Sequence, residues 1–223
     1  MTVRIIRHVD AFTATPLEGN PAAVVDGEGL AGDVMQRIAL NQRLSETVFL
    51  LPPEDAANHA RLRIFTPAVE LPFAGHPVVA ASHVLISEGT VTLGPQPGAA
   101  VLHGEALRLE TGVGVIPVEV SGGEPPLYTM TQAAPKFRPS EHAPDAIAPW
   151  VGLSAGDIVR AEWVSTGIYW LIAQVASLDA MLRVRPDMTA LLAVPQGLAI
   201  FCLGAVAGSG GARARVRPGG GRR

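Results

Sequence analysis

Apolar residues along the chain switch between two periods, and the switches predict the elements. Residues 3–10 (VRIIRHVD) and 22–25 (AAVV) read as strands, joined by a turn through Pro16, Gly19, Asn20 and Pro21. Val34 and Ile38, with Met35 and Ala39, recur at helical spacing, so 33–43 reads as an amphipathic helix with Asp33 as its cap. Residues 46–51 (ETVFLL) and 60–65 (ARLRIF) return to strand. Residues 76–87 form a second helix. His76 stands at its N-cap, Pro77 at its first helical position and Gly89 just past its end. Apolar side chains surround this helix, which predicts a central, buried position. Strands follow near 106–110 and 113–120.

Residues 121–126 (SGGEPP) are the best linker candidate. Beyond them the pattern predicts strand 127–131, helix 144–151, strands 158–164 and 168–175, helices 177–183 and 187–193, and strand 198–203. Strands interleaved with helices in two sections predict an α+β fold of two lobes. The expected division is 1–120 for the first lobe, 127–207 for a second and incomplete one, and 208–223 for an irregular Arg/Gly-rich tail.

Composition narrows the class. The 223 residues are 48% hydrophobic, enough for one large core or two smaller ones. No apolar run reaches the roughly 20 residues that span a bilayer, and "MTVRIIRHVDAF" carries no export signal, so no membrane partner is expected. The single cysteine, Cys202, precludes an internal disulfide framework and suits a reducing cytoplasm. The net charge of −3 gives no basic footprint for nucleic acid. Five arginines crowd the last eleven residues; without them the balance would fall from −3 to −8. One lysine, Lys136, stands against sixteen arginines, which points to GC-rich DNA. A slipped reading frame in such DNA yields the Arg, Gly, Ala and Pro of which "GARARVRPGGGRR" is made.

Two stretches carry chemistry. "AGHP" opens a buried helix, where unpaired backbone N–H groups and a partial positive charge favour an anion, and a glycine permits close approach. It is either a carboxylate cradle with His76 as an added donor, or a plain cap and turn. Glu46 lies where a helix gives way to an apolar strand. It is either a partly desolvated carboxylate raised toward neutral pH and suited to general acid–base work, or an exposed strand end. His76 and His83 stand two turns apart, too far for a good zinc pair, and no phosphate-binding glycine loop is present. No metal and no cofactor are expected. Cys202, inside "LAIFCLG", reads as an inert buried thiol, which argues against two-thiol racemisation.

"VDAFTATPLEGNPAAVV", "NQRLSETVFLL", "RIFTPAVELPFAGHPVVAASHVL" and "STGIYWLIAQV" together resemble the PhzF-like isomerase family of phenazine biosynthesis. The resemblance runs from about residue 5 to about residue 203 and is strongest over 8–87. It implies a diaminopimelate epimerase-like fold, two similar lobes of curved mixed sheet, each around a central helix, in a cytoplasmic homodimer. It implies a cofactor-free isomerase acting on a small carboxylic acid. The family's best-known activity isomerises trans-2,3-dihydro-3-hydroxyanthranilate, moving a proton with one glutamate. That glutamate matches Glu46. The glycine and histidine of the first-lobe cradle match Gly75 and His76, and Asn20 matches the family's GNP turn, with a structural or substrate-adjacent role.

The family's second lobe carries an "EDPxTGSA" segment as the counterpart of "ELPFAGHP", and none is present here. A frameshift, a shortened relic of an enzyme and a cut chain each account for this. The expectation is that strand faces such as 168–175 and 198–203 lie uncovered, and that catalysis is impaired. A non-catalytic small-acid-binding or assembly protein on a partial fold is the alternative.

Overall fold

The computed structural model describes residues 4–91, 106–123, 125–192, 194 and 197–203. They form two compact units, which part between Gln132 and Ala133.

In the first unit, β1 (Ile6–Ala11), β2 (Asn20–Asp26), β3 (Glu46–Leu51) and β4 (Ala60–Phe65) lie side by side. β5 (Glu70–Leu71) pairs with the end of β4. The sheet continues through β6 (Ala106–Thr111), β7 (Gly114–Ser121) and β8 (Leu127–Met130). The β2/β3 and β4/β6 pairs are parallel and the others antiparallel.

Period-two alternation decides what each face touches. Ala22, Val24, Val48, Leu62 and Ile64 face α2 (Gly75–Ser87), whereas Val25, Phe49 and Phe65 face Met35 and Ala39 of α1 (Gly32–Gln42). β2 is therefore covered on both sides, which is why AAVV reads as an unbroken apolar run. α2 buries Val78, Ala80, Ala81, Val84 and Leu85 against β1, β2, β3 and β8, so the central position expected from its composition holds. Its one buried hydroxyl, Ser82 Oγ, donates to the Val78 carbonyl at 2.8 Å. Gly89 follows the helix at φ +67°, where a side chain would be strained.

Several boundaries differ from the sequence pattern. β8 belongs to the first sheet, because Leu127–Met130 zips against Val118–Ser121 of β7. The segment 121–126 is thus the connection of a hairpin, and the first unit extends past residue 120 to Gln132. The caps also shift. Ala31 precedes α1 with no side-chain bond, leaving Asp33 in the first turn beside the positive end of the helix. Ala74 precedes α2, so His76 is the second helical residue and no cap; its ring is free to point elsewhere.

The second unit orders four strands as β12-β11-β10-β9: β9 (Lys136–Pro139), β10 (Ile158–Ser165), β11 (Tyr169–Val175) and β12 (Leu198–Cys202). The pattern did not announce β9 or the two-residue β5. The helix expected over 144–151 is α3 (Pro144–Ile147) followed by a 3-10 turn over Ala148–Val151; Pro149 has no N–H to continue the α pattern. α4 (Leu178–Arg183) and α5 (Met188–Leu191) complete the unit, each capped by a side chain, Ser177 and Asp187. One face of this sheet packs Trp163, Leu171, Ala173 and Val175 against Ile147, Val151 and Ala180. The tail expected over 208–223 lies outside the described residues.

Candidate active site

Three of the four site residues foreseen in the sequence meet at one end of the first sheet. β2 and β3 run in parallel with Ala22 opposite Glu46. Glu46 shares its face with Val48, which touches α2. The start of α2 lies over this end, and brings His76 Nε2 to 3.3 Å from Glu46 Oε2. The His76 side chain is 9% exposed and that of Glu46 17%. Gly75 is the first residue of the helix. Asn20, at the start of β2 and on the face of Ala22 and Val24, is exposed and stands at the rim.

The Glu46–His76 contact is not an ion pair at neutral pH. Burial pushes the imidazole below its ordinary 6.5; Glu46 and a hydrogen bond to the Pro21 backbone pull the other way and do not prevail. Among the described residues neither Glu46 Oε2 nor His76 Nε2 has a hydrogen-bond partner, although both atoms are buried. The 3.3 Å contact lacks hydrogen-bond geometry. Leaving such groups unmatched costs about 1–3 kcal/mol each, which makes the Glu46–His76 pair a candidate for a polar ligand.

The helix start adds donors. The first N–H groups of α2 have no intrahelical partner, and no side chain caps them. A Cβ placed on Gly75 would stand 3.4 Å from Met130 Cε and 3.6 Å from Gln132 Nε2. The methyl that glycine lacks would fill the approach without clashing with the protein. The arrangement offers backbone donors to a carboxylate, and beside them the Nε2 acceptor of a neutral imidazole and a carboxylate, Glu46, of the type that can take and return a proton.

Met130 and Gln132 were missed by sequence reasoning. They were assigned to the start of a second lobe, and the available signal was the hairpin that SGGEPP makes with the preceding strand. His83, two turns along α2, is occupied elsewhere: its Nδ1 is 3.2 Å from the Tyr128 hydroxyl, with the rings edge-to-face at 5.8 Å. Burial raises the Tyr128 phenol to about 12, so it stays protonated. Among the described residues, no group of three or more His, Cys, Asp or Glu could hold a metal ion, and no helix is long and apolar enough to cross a membrane.

A family model described as phenazine biosynthesis-like protein matches residues 9–217. The trans-2,3-dihydro-3-hydroxyanthranilate isomerase of Pseudomonas aeruginosa is 34% identical over 197 residues, which cover 87% of this chain and 65% of that one. An uncharacterized isomerase of Mesorhizobium japonicum is 37% identical over 185 residues, 80% of this chain and 58% of its own. Among solved structures, the Bacillus anthracis phenazine biosynthesis protein of the PhzF family aligns with a TM-score of 0.73 at 30% identity, over 89% of this chain and 66% of that chain. The chain spans 55% to 65% of the length of the first curated relatives it matches.

Proposed function

The chain belongs to the phenazine biosynthesis-like PhzC/PhzF family, and on that premise we propose that it is a cofactor-free isomerase moving a proton within a small carboxylic acid. The observation that carries this reading is the buried Glu46–His76 contact at the start of α2, with an unmatched polar atom on each side chain. The substrate carboxylate sits against the N–H groups of Gly75 and His76, and neutral His76, whose ring N–H goes to the Pro21 carbonyl, turns an unprotonated Nε2 toward the site as an acceptor for a polar group of the substrate. Glu46 abstracts a proton from one carbon, becomes a carboxylic acid, and returns the proton to another carbon of the conjugated system. Charge and atoms balance with no redox partner. Asn20 acts at the rim, next to the substrate or in shaping its turn.

The name of the Pseudomonas aeruginosa relative supplies the first substrate to try, trans-2,3-dihydro-3-hydroxyanthranilate. The chain spans 55% to 65% of the length of the first curated relatives it matches, and the first-unit site is the part of the family site that the described residues present. That partial span is the ground for a second reading, in which the first-unit site by itself binds a small acid without transforming it.

Calorimetry and product chromatography on wild type and Glu46→Gln separate the two. An isomerase binds the acid in both forms and converts it only in wild type. Binding without conversion in either form favours the second reading. Conversion undiminished in Glu46→Gln refutes the role of Glu46.

A further inference from the structure

Strand β8 runs alongside α2, and the alternation of its side chains brings a carboxamide to the helix start. Tyr128, Met130 and Gln132 stand at every second residue, so in extended chain they share a face. Tyr128 meets His83 in the later half of α2. Met130 and Gln132 reach its other end: a Cβ on Gly75 would stand 3.4 Å from Met130 Cε and 3.6 Å from Gln132 Nε2. The two rises agree. From Tyr128 to Gln132 a strand advances about 13 Å, and from His83 back to Gly75 a helix covers about 12 Å. The chain stays extended this far because the Thr131 N–H donates to the Pro117 carbonyl at 3.2 Å, which carries the β7/β8 ladder one residue on. Gln132 is half-buried, and among the described residues its carboxamide is engaged in no hydrogen bond.

We propose that Gln132 is a substrate-binding residue, its Nε2 donating to the carboxylate that the α2 amides hold. This rests on the reading of the α2 start as a carboxylate site. The backbone donors stand at Gly75 and His76, where no side chain caps the helix and no acid in the first turn competes for them. Beside them the His76 side chain, 9% exposed, presents an Nε2 with no partner among the described residues. That Nε2 belongs to a neutral imidazole whose N–H goes to Pro21, so it accepts and gives the carboxylate no donor. A carboxylate accepts through two oxygens with about four lone-pair sites, more than the first amides of one helix fill. The Gln132 carboxamide supplies a further donor from the side that glycine leaves open. It holds the anchored end of the substrate and not the carbons between which Glu46 moves a proton. Gln132 therefore governs affinity for the acid and leaves the rate of proton transfer alone.

Calorimetry and deuterium exchange with trans-2,3-dihydro-3-hydroxyanthranilate test it on the whole chain. Gln132→Leu removes the donor and keeps the bulk. It weakens binding by about tenfold or more, the worth of a hydrogen bond to a charged group. Gln132→Glu sets a second carboxylate against that of the ligand and weakens binding by about 100-fold near pH 7.5. Measured against wild type, this second loss shrinks as the pH falls to about 5, because a protonated carboxyl donates again. Where wild type exchanges, both variants take up deuterium at saturating acid within about threefold of its rate, since only binding has been removed. Circular dichroism checks that each variant is folded. A purely structural role for Gln132 would give no recovery at low pH. Wild-type affinity in both variants, or a loss confined to the exchange rate at saturation, overturns the proposal and leaves the α2 site standing. A wild-type chain that binds no acid removes the α2 reading and this proposal with it.

Discussion

On the proposed reading, buried His76 and partly buried Glu46 decide what the site can do, and the residues around them permit tests that separate chemistry from stability. His76 titrates below 6.5 in the fold because burial disfavours its charged form. The unfolded chain therefore binds more protons than the folded one just below that pH. Its contribution to stability is present above 6.5 and is lost as pH falls toward the folded value. Urea unfolding from about pH 7.5 down to about 5.5 should show less acid destabilisation in His76→Asn than in wild type; an unchanged slope would place the imidazole in water. Gly75→Ala should leave folding intact or stabilise the helix by up to about 1 kcal/mol, since the new methyl meets Met130 and Gln132 at ordinary contact distances. It should weaken carboxylate binding by about tenfold, because the methyl stands in the approach to the α2 amides. Equal affinity of Gly75→Ala and wild type in calorimetry would remove the helix start from the site. Thr47 offers a contrary case: it is 1% exposed and its hydroxyl has no partner among the described residues. Thr47→Val should therefore raise stability by about 1 kcal/mol in denaturant melts. Gly75, His76 and Glu46 stood out in the sequence as candidates by residue type, and the family resemblance gave them their expected roles. The 3.3 Å approach was not, because it depends on the β2/β3 register and on Ala74, in place of His76, preceding the helix.

At the scale of elements, α2 positions the site and is held by its own burial. Leu85 is 2% exposed among β-strand side chains of the first core. Leu85→Ala should cost about 2–5 kcal/mol, read from a lower urea midpoint at constant slope. Its helical character and central place were legible because apolar residues surround it. Alternating strands such as Gly114–Ser121 were equally plain. What escaped was pairing that local pattern does not encode. β8 looks like the opening of a new lobe until β7 is seen to bond it, and Met130 and Gln132 come to the site only by that pairing. β9 is four exposed residues with a proline, recognisable as a strand only through its partner β10. The 144–151 helix broke at Pro149, where the missing N–H outweighed the apolar period.

For the whole molecule, family membership and the α2 site point one way. The chain shares its family with isomerases of which it spans little more than half to two thirds. On the proposed reading the α2 site binds a carboxylate and loosens a proton, and that first step is detectable even where the full reaction is slow. Exchange reads that first step alone, and so tests the account most directly. The measurement is mass spectrometry of trans-2,3-dihydro-3-hydroxyanthranilate held in D2O with the wild-type chain and with Glu46→Gln. The account predicts uptake of deuterium at carbon with wild type, and a loss of about 100-fold or more in rate with Glu46→Gln. Exchange that proceeds equally in both, or in neither while the acid is bound, would contradict it.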